Sequence, residues 1–353
     1  MKTTDFEYTL PKELIAQTPA QPRDSSRLMV IDREKKTRSH KTFRDIVDYF
    51  QTGDVLVWNN SKVFKARLLG KMHSATGRDL VHHLRDVEIF LVRPMENVGV
   101  WKVLAKPGKH VLPGMTIAFA EDFYCTVILK ENNGTVLVQF PYNAATVRRK
   151  ANQHGHIPIP PYVKDEPEQF ESYQTVYAKE EGSVAAPTAG FHFTPRIIEE
   201  LKRKGVEFAE VTLHVGLGTF LPVKSDNVED HTMHSEWVEI TEEHADKINQ
   251  AKKEGRRIVA VGTTTVRTLE GVAQFGSGGR VSAYEGDINM FILPGFHFQI
   301  VDVLITNFHL PKSTLLMLVS AFAGEREFML SCYEEAVKEK YRFFSFGDAM
   351  IIY

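Results

Sequence analysis

The sequence predicts an α/β fold: a main α/β domain formed by residues 1–62 and 155–353, interrupted at residues 63–154 by a small all-β, barrel-like domain. Three observations predict it. Between Val63 and Val147, short apolar runs alternate with turn signals. From Thr194 onward, strand-like apolar runs alternate with capped helical segments. Between the two lies Ile157-Pro-Ile-Pro-Pro-Tyr162, which cannot be helical because each proline drives the preceding residue out of the helical region.

Taken in order, Pro11–Gln17 reads as a short helix with proline at its first position. Asp54-Val-Leu-Val-Trp58 is compact and apolar, hence a buried strand. In the inserted region Val87–Val92, Trp101–Ala105, Tyr124–Leu129 and Gly134–Phe140 have strand length. Lys106-Pro-Gly108, Leu112-Pro-Gly114 and Asn132-Asn-Gly134 break them, and short strands so spaced close into a small barrel. Thr194 caps a helix with Pro195 at its first position, an Ile197/Ile198/Leu201 face, and Gly205 as the stop. Phe208–Val215 is a strand. Thr241 is expected to cap a helix ending at Gly255, with Glu242 and Glu243 at its positive end. Ile258–Val261 and Val301–Ile305 are wholly apolar, the pattern of parallel strands covered on both faces. Ser313–Ala323 is apolar nearly all round and so buried. Glu327–Lys340 puts Leu330, Tyr333, Ala336 and Val337 on one helix face.

Composition narrows the class. At 353 residues two domains are expected, and 43% hydrophobic with 25% charged residues describes a folded, soluble chain. Cys125 and Cys332 make no disulfide framework and hold no zinc by themselves. The N-terminus carries charges where a leader needs an apolar run, and Leu315–Ala323 is too short to span a bilayer. A cytoplasmic protein without a membrane partner is expected. A net charge of −2 gives no bulk sign of a nucleic-acid binder. An RNA partner requires basic groups gathered on one face, for which Lys62/Lys65/Arg67, Arg148–Lys150, Lys202–Lys204 and Arg256/Arg257 are candidates. Each also fits a solvated surface.

In an open α/β sheet, ligands sit beyond the carboxyl ends of the strands. Four segments carry polar residues at such places. Ala185–Phe193 offers Thr188, Gly190 and His192. Thr212–Phe220 puts Thr212 and His214 on one strand face, followed by Gly216 and Gly218, which allow close approach. Val261–Glu270 runs from a strand through Gly262, Thr263 and Thr264 into a helix carrying Arg267. Free amides at a helix N-terminus, hydroxyls and a guanidinium suit a carboxylate or phosphate. Thr306–Thr314 offers Asn307 and His309 at period-two spacing. Each segment equally fits a plainer role: a packed histidine, a β-bulge, or threonine capping. The spacing in His231-Thr-Met-His-Ser-Glu236 lacks the cysteine or helical context of a metal site, so no metal is expected. The aromatics of Arg342–Met350 read as core, with Asp348 beside them. No Gly-rich first βα turn of a methyltransferase is present.

These strings resemble signature blocks of the queuosine-pathway ribosyltransferase-isomerase family, as do Leu10–Gln17, Arg23–Leu28, Pro160–Tyr162, Tyr173–Tyr177 and Tyr341–Met350, in the same order along nearly the whole chain. The resemblance implies an enzyme that uses S-adenosylmethionine as co-substrate and ribosyl donor. The aminomethyl group of 7-aminomethyl-7-deazaguanine (preQ1), at the wobble position of a tRNA with a GUN anticodon, attacks the ribosyl carbon. The ribose rearranges to the epoxycyclopentanediol of epoxyqueuosine, and adenine and methionine leave. Such chemistry needs a base beside the sulfonium, a donor for the departing adenine, and an anchor for the methionine carboxylate. Neutral histidine suits proton transfers near pH 7, so His192, His214 and His309 are the expected acid/base residues, with no role assigned to each. Arg267 with Thr263 and Thr264 is the expected carboxylate site, and Asp348 is expected to bind ribose or adenine. Thr188, Gly190, Gly216, Gly218 and Asn307 complete the expected substrate site. Asn59, Asn60, Lys62 and Arg67 are expected to face tRNA, and a monomer is expected. The chain departs from the family pattern at Thr76–Glu88, at Gly286-Asp-Ile288, and in having Lys62 and Lys65 where arginine and proline are usual. A diverged paralogue with an altered acceptor, or a tRNA-binding protein without catalysis, are the alternatives.

Overall fold

The structure, a computed structural model, describes residues 1–73, 85–132, 134–159, 162–163, 170–216, 223, 225–233, 235–276 and 279–353. Gly218, His234, Pro160, Pro161 and residues 76–84 lie outside the described residues.

The strands are β1 (Arg27–Asp32), β2 (Thr37–Thr42), β3 (Val55–Asn59), β4 (Ser61–Val63), β5 (Arg67–His73), β6 (Arg85–Pro94), β7 (Val100–Lys106), β8 (Thr116–Ala120), β9 (Phe123–Lys130) and β10 (Val136–Gln139). They continue with β11 (Glu180–Ser183), β12 (Glu207–Leu213), β13 (Glu236–Ile240), β14 (Ile258–Val261), β15 (Tyr284–Ile288), β16 (Val303–Asn307) and β17 (Ala349–Ile352). The α-helices are α1 (Ala144–His154), α2 (Pro195–Arg203), α3 (Glu242–Lys253), α4 (Thr263–Phe275), α5 (Thr314–Phe322) and α6 (Arg326–Lys338).

Nine strands form one mixed sheet in the order β15-β13-β12-β3-β14-β16-β17-β1-β2. Its centre, β12-β3-β14-β16, is parallel. β17 then runs antiparallel to β16, so β16 is parallel on one side only. Side-chain alternation explains why this centre reads as unbroken apolar runs. Val55 and Val57 of β3 enter one core layer, Leu56 and Trp58 the other, and β14 divides likewise at Ile258/Ala260 and Val259/Val261. Helices α3 to α6 cover the first face; α2 and the 3-10 helix Phe43–Tyr49 cover the second.

Strands β5 to β10 close into a six-stranded antiparallel barrel with its own core, including Leu91, Trp101, Val103 and Phe140. Strand β4 pairs parallel with β11, carrying the chain from the main sheet into the barrel. The fold is the α/β architecture with an inserted barrel that the sequence predicts.

Several local expectations are corrected. Pro11–Gln17 is only a 3-10 turn, Lys12–Leu14, because Ile15 turns extended and bridges to Phe343. Thr241 precedes α3 but makes no side-chain cap, whereas Thr194 accepts from the Ile197 amide as expected, and Ser313 caps α5 by accepting from the Leu316 amide. The apolar run at Val301 yields a strand two residues later, at Val303.

Candidate active site

At the carboxyl ends of β14 and β16 the chain opens a cleft of about 590 Å³, its open mouth included. It is lined from four directions: Ala185–Ala189, Val215, Gly262–Thr264, and Thr306, Asn307 and His309, with Phe344 and Ser345 at one side. Ser183 ties two of these segments together, its Oγ accepting from the Val215 amide and donating to the Ala185 carbonyl. Gly262, at φ +85, makes the turn from β14 into α4 that an L side chain would strain. The first amides of α4 have no side-chain cap, and the Thr264 hydroxyl is buried without a hydrogen-bond partner among the described residues. This end of the cleft is therefore suited to an anion.

The three expected histidines fall in different places. His309 alone lines the cleft. Its Nε2 lies 3.3 Å from Thr306 Oγ1, its amide donates to Tyr333 Oη (3.1 Å), and its carbonyl accepts from Tyr8 Oη (2.5 Å). Burial pushes its pKa down to about 3, so the ring is neutral at pH 7. His192 lies behind the cleft, stacked on Phe43, with Nδ1 2.7 Å from Ser26 Oγ and Nε2 3.0 Å from Asn307 Nδ2. Burial, helped by Arg342 and Arg23, lowers its pKa to about 3. His214 stacks on Trp237 at 4.9 Å and packs against Gly182, away from the cleft. Burial and then Arg148 lower it to about 4.

The remaining candidates separate in the same way. Thr188, Thr263, Thr264 and Asn307 line the cleft. Arg267 does not: it is buried on α4 in an ion pair with Glu236 of β13, so the guanidinium that was to join Thr263 and Thr264 is held to a carboxylate. Its Nε and Nη2 have no partner among the described residues. Gly190 leaves room for a neighbour rather than a ligand; a Cβ there would sit 1.9 Å from Tyr177 Oη. A Cβ at Gly216 would meet nothing within 4 Å among the described residues. Asp348 binds backbone, its two oxygens accepting from the Arg27 and Arg342 amides, and so ties β1 to the final turn.

Asn59 is fully buried, bonding the Leu213 amide and carbonyl, and Asn60 is held between Glu210 and Thr212. They join β3 to β12 and offer no surface to a nucleic acid, which corrects the expectation for both. Lys62 and Arg67 are half-buried, Arg67 donating to Glu88. Sequence reasoning missed Ser26, Glu236, Tyr8 and Tyr333. Ser26 and Glu236 lie inside quoted blocks but have no chemical signal of their own. The tyrosines meet His309 only through tertiary packing.

Sheet and cleft together define an α/β fold with a polar cleft at its strand ends. The chain matches the family model described as queuosine biosynthesis protein over residues 3–352. It is 50% identical over 353 residues, all of both chains, to the S-adenosylmethionine:tRNA ribosyltransferase-isomerase of Thermotoga petrophila. It is 51% identical over 352 residues, again all of both, to the protein of that name from Carboxydothermus hydrogenoformans. A crystal structure of S-adenosylmethionine tRNA ribosyltransferase from Thermotoga maritima superposes with a TM-score of 0.56 at 40% identity, covering 99% of this chain and 100% of that one. The chain belongs to the queuosine biosynthesis family and is an enzyme of its transferase-isomerase type. Among the described residues no helix is long and apolar enough to cross a membrane.

Proposed function

We propose that the enzyme transfers and isomerises the ribosyl group of S-adenosylmethionine onto preQ1 at the wobble position of a GUN-anticodon tRNA, giving epoxyqueuosine and releasing adenine and methionine. It acts as a cytoplasmic monomer. Whole-chain identity of about half to relatives bearing the ribosyltransferase-isomerase name is the observation that carries this reading.

The cleft fits such a nucleoside. Its lining gathers small residues with the hydroxyls of Thr188, Thr263, Thr264 and Thr306, the Asn307 amide and the His309 imidazole, the few convergent polar groups that orient a small ligand. The uncapped α4 amides with Thr263 and Thr264 hold the methionine carboxylate at the anion-favouring end. Arg267 acts on that end from behind, as part of its ion pair. His309, neutral and at the cleft wall, exchanges the proton next to the sulfonium, where positive charge acidifies the C–H bond. Lys62 and Arg67, near the seam between barrel and sheet, contact the tRNA backbone.

The test is incubation with S-adenosylmethionine and tRNA bearing preQ1. Equal amounts of free adenine and methionine are expected. Adenosylhomocysteine as product would instead make the enzyme a methyltransferase. Tight tRNA binding with no S-adenosylmethionine consumed would make it a binding protein.

A further inference from the structure

Behind the cleft runs a chain of four side chains whose proton positions the geometry fixes. Asn307 lies between His192 and Thr188, with its Nδ2 also 3.4 Å from the Asp348 carbonyl. A carbonyl only accepts, so an amide turned the other way would set two acceptors against each other. The Asn307 Nδ2 must therefore face Asp348, and it donates its other proton to His192 Nε2 at 3.0 Å. Nε2 then carries no hydrogen, and the neutral ring holds its proton on Nδ1, which donates to Ser26 Oγ at 2.7 Å. On the cleft side, Thr188 Oγ1 donates to Asn307 Oδ1 at 3.3 Å.

We infer that His192 is a positioning residue and not a proton carrier. It anchors an ordered chain, Thr188 to Asn307 to His192 to Ser26, that leaves the Thr188 hydroxyl at the cleft wall as an acceptor for a ribose hydroxyl of the nucleoside substrate. Each link points the same way, from cleft to interior. Since the threonine has spent its proton inward, its lone pairs can receive only a donor. Both nitrogens of His192 are occupied, and the ring is clamped flat against Phe43, so neither nitrogen can reach a substrate. Buried near Arg23 and Arg342, the ring also stays uncharged. The identity of the substrate rests on the function proposed above; the order of the protons does not.

Two measurements test this. In protein labelled with ¹⁵N-histidine, the ring signals lost on His192→Gln substitution should show a protonated Nδ1 and a bare Nε2 at neutral pH. An Nε2-protonated or doubly protonated ring overturns the inference. In the adenine-release assay, His192→Gln places a carboxamide oxygen where Nε2 was and should keep kcat within about tenfold of wild type, one hydrogen bond's worth. His192→Asn cannot reach Asn307 and should lose about 10²-fold through misplacement of the cleft wall. Thr188→Val should raise KM for the nucleoside with little change in kcat. Equal loss in His192→Gln and His192→Asn, or an unchanged KM in Thr188→Val, overturns it. If wild-type protein releases no adenine, the proposed function fails while the nitrogen spectrum still decides the chain.

Discussion

The barrel and the cleft are built on opposite plans. The barrel buries an almost wholly apolar interior, Leu68, Val87, Ile89, Leu91, Trp101 and Val103 among it, and wears its charges outside. The end of the main sheet buries Asn59, Ser61, His192, Thr212, Thr263, Thr264, Thr265, Arg267, Asn307 and His309 within a few strand ends of one another. Burying polar groups is unfavourable unless each finds a partner. A region that gathers so many has been shaped by what it must hold, while the barrel has been shaped by closure alone. The contrast predicts that the two regions respond differently to acid, to loss of a side chain and to an added methyl group.

The largest difference should come with acid. Below their ordinary pKa of 6.5, His192, His214 and His309 take up protons in the unfolded chain but not in the folded one, where burial holds them to about 3, 4 and 3. The stability they contribute is fully present above 6.5 and is lost as pH falls toward those folded values. The window from 6.5 to about 5 lies above the pKa of ordinary carboxylates, so histidine dominates it. Glu270 and Glu239, both raised by burial, work in the opposite direction. Hydrogen exchange at pH 7 and pH 5 should show the main sheet losing protection while barrel strands keep theirs. Equal loss in both, or none, breaks the comparison.

Next is chemistry. His309→Ala removes the imidazole at the cleft wall and should cut adenine release by about 10²–10⁴-fold, the usual contribution of a positioned acid or base. The melting temperature should change little compared with that loss. Wild-type turnover would remove His309 from the proton transfers.

In the barrel the order reverses. Leu91→Ala empties a fully buried position and should lower stability by about 2–5 kcal/mol. The turnover of the folded fraction should stay the same. A kcat that falls in step would show that the barrel shapes the cleft directly.

The same contrast governs what could be read from the sequence. Strands of the barrel and the central sheet were legible where burial enforces a period, short alternating runs for β6, β7, β9 and β10 and unbroken apolarity for β3, β14 and β16. Loops such as Gly262–Thr264 and Thr306–His309 were legible as candidates because they place polar residues directly beyond the carboxyl ends of apolar strands. Partnerships across the chain were not. Nothing local marks Arg267 for Glu236, 31 positions earlier, or His192 for Ser26, 166 positions away. Asn59 and Asn60 looked like surface amides, yet they stitch β3 to β12 because those strands adjoin only in the fold. Sequence patterns show what is buried; they do not show which buried groups meet.

The smallest effect separates two glycines. At Gly190 an added Cβ would fall 1.9 Å from Tyr177 Oη and close to Thr175, both packed beneath the cleft floor. Tyr177 cannot retreat, because its ring stacks on Trp58 at 4.0 Å. Gly190→Ala should therefore cost about 1–3 kcal/mol by overpacking and shift the floor that carries Thr188. Gly134, in the turn before β10, has nothing within 4 Å of such a Cβ among the described residues, but its φ is +90. Gly134→Ala meets only backbone strain of about 1–2 kcal/mol, partly offset by about 0.4–1 kcal/mol of lost freedom in the unfolded chain. Denaturant titration should place Gly190→Ala below Gly134→Ala in stability, and only the former should change KM for the nucleoside. The reverse order would mean that the ground beneath the cleft yields more readily than a solvent-facing turn, against the close packing that holds Thr188 and Asn307 in place.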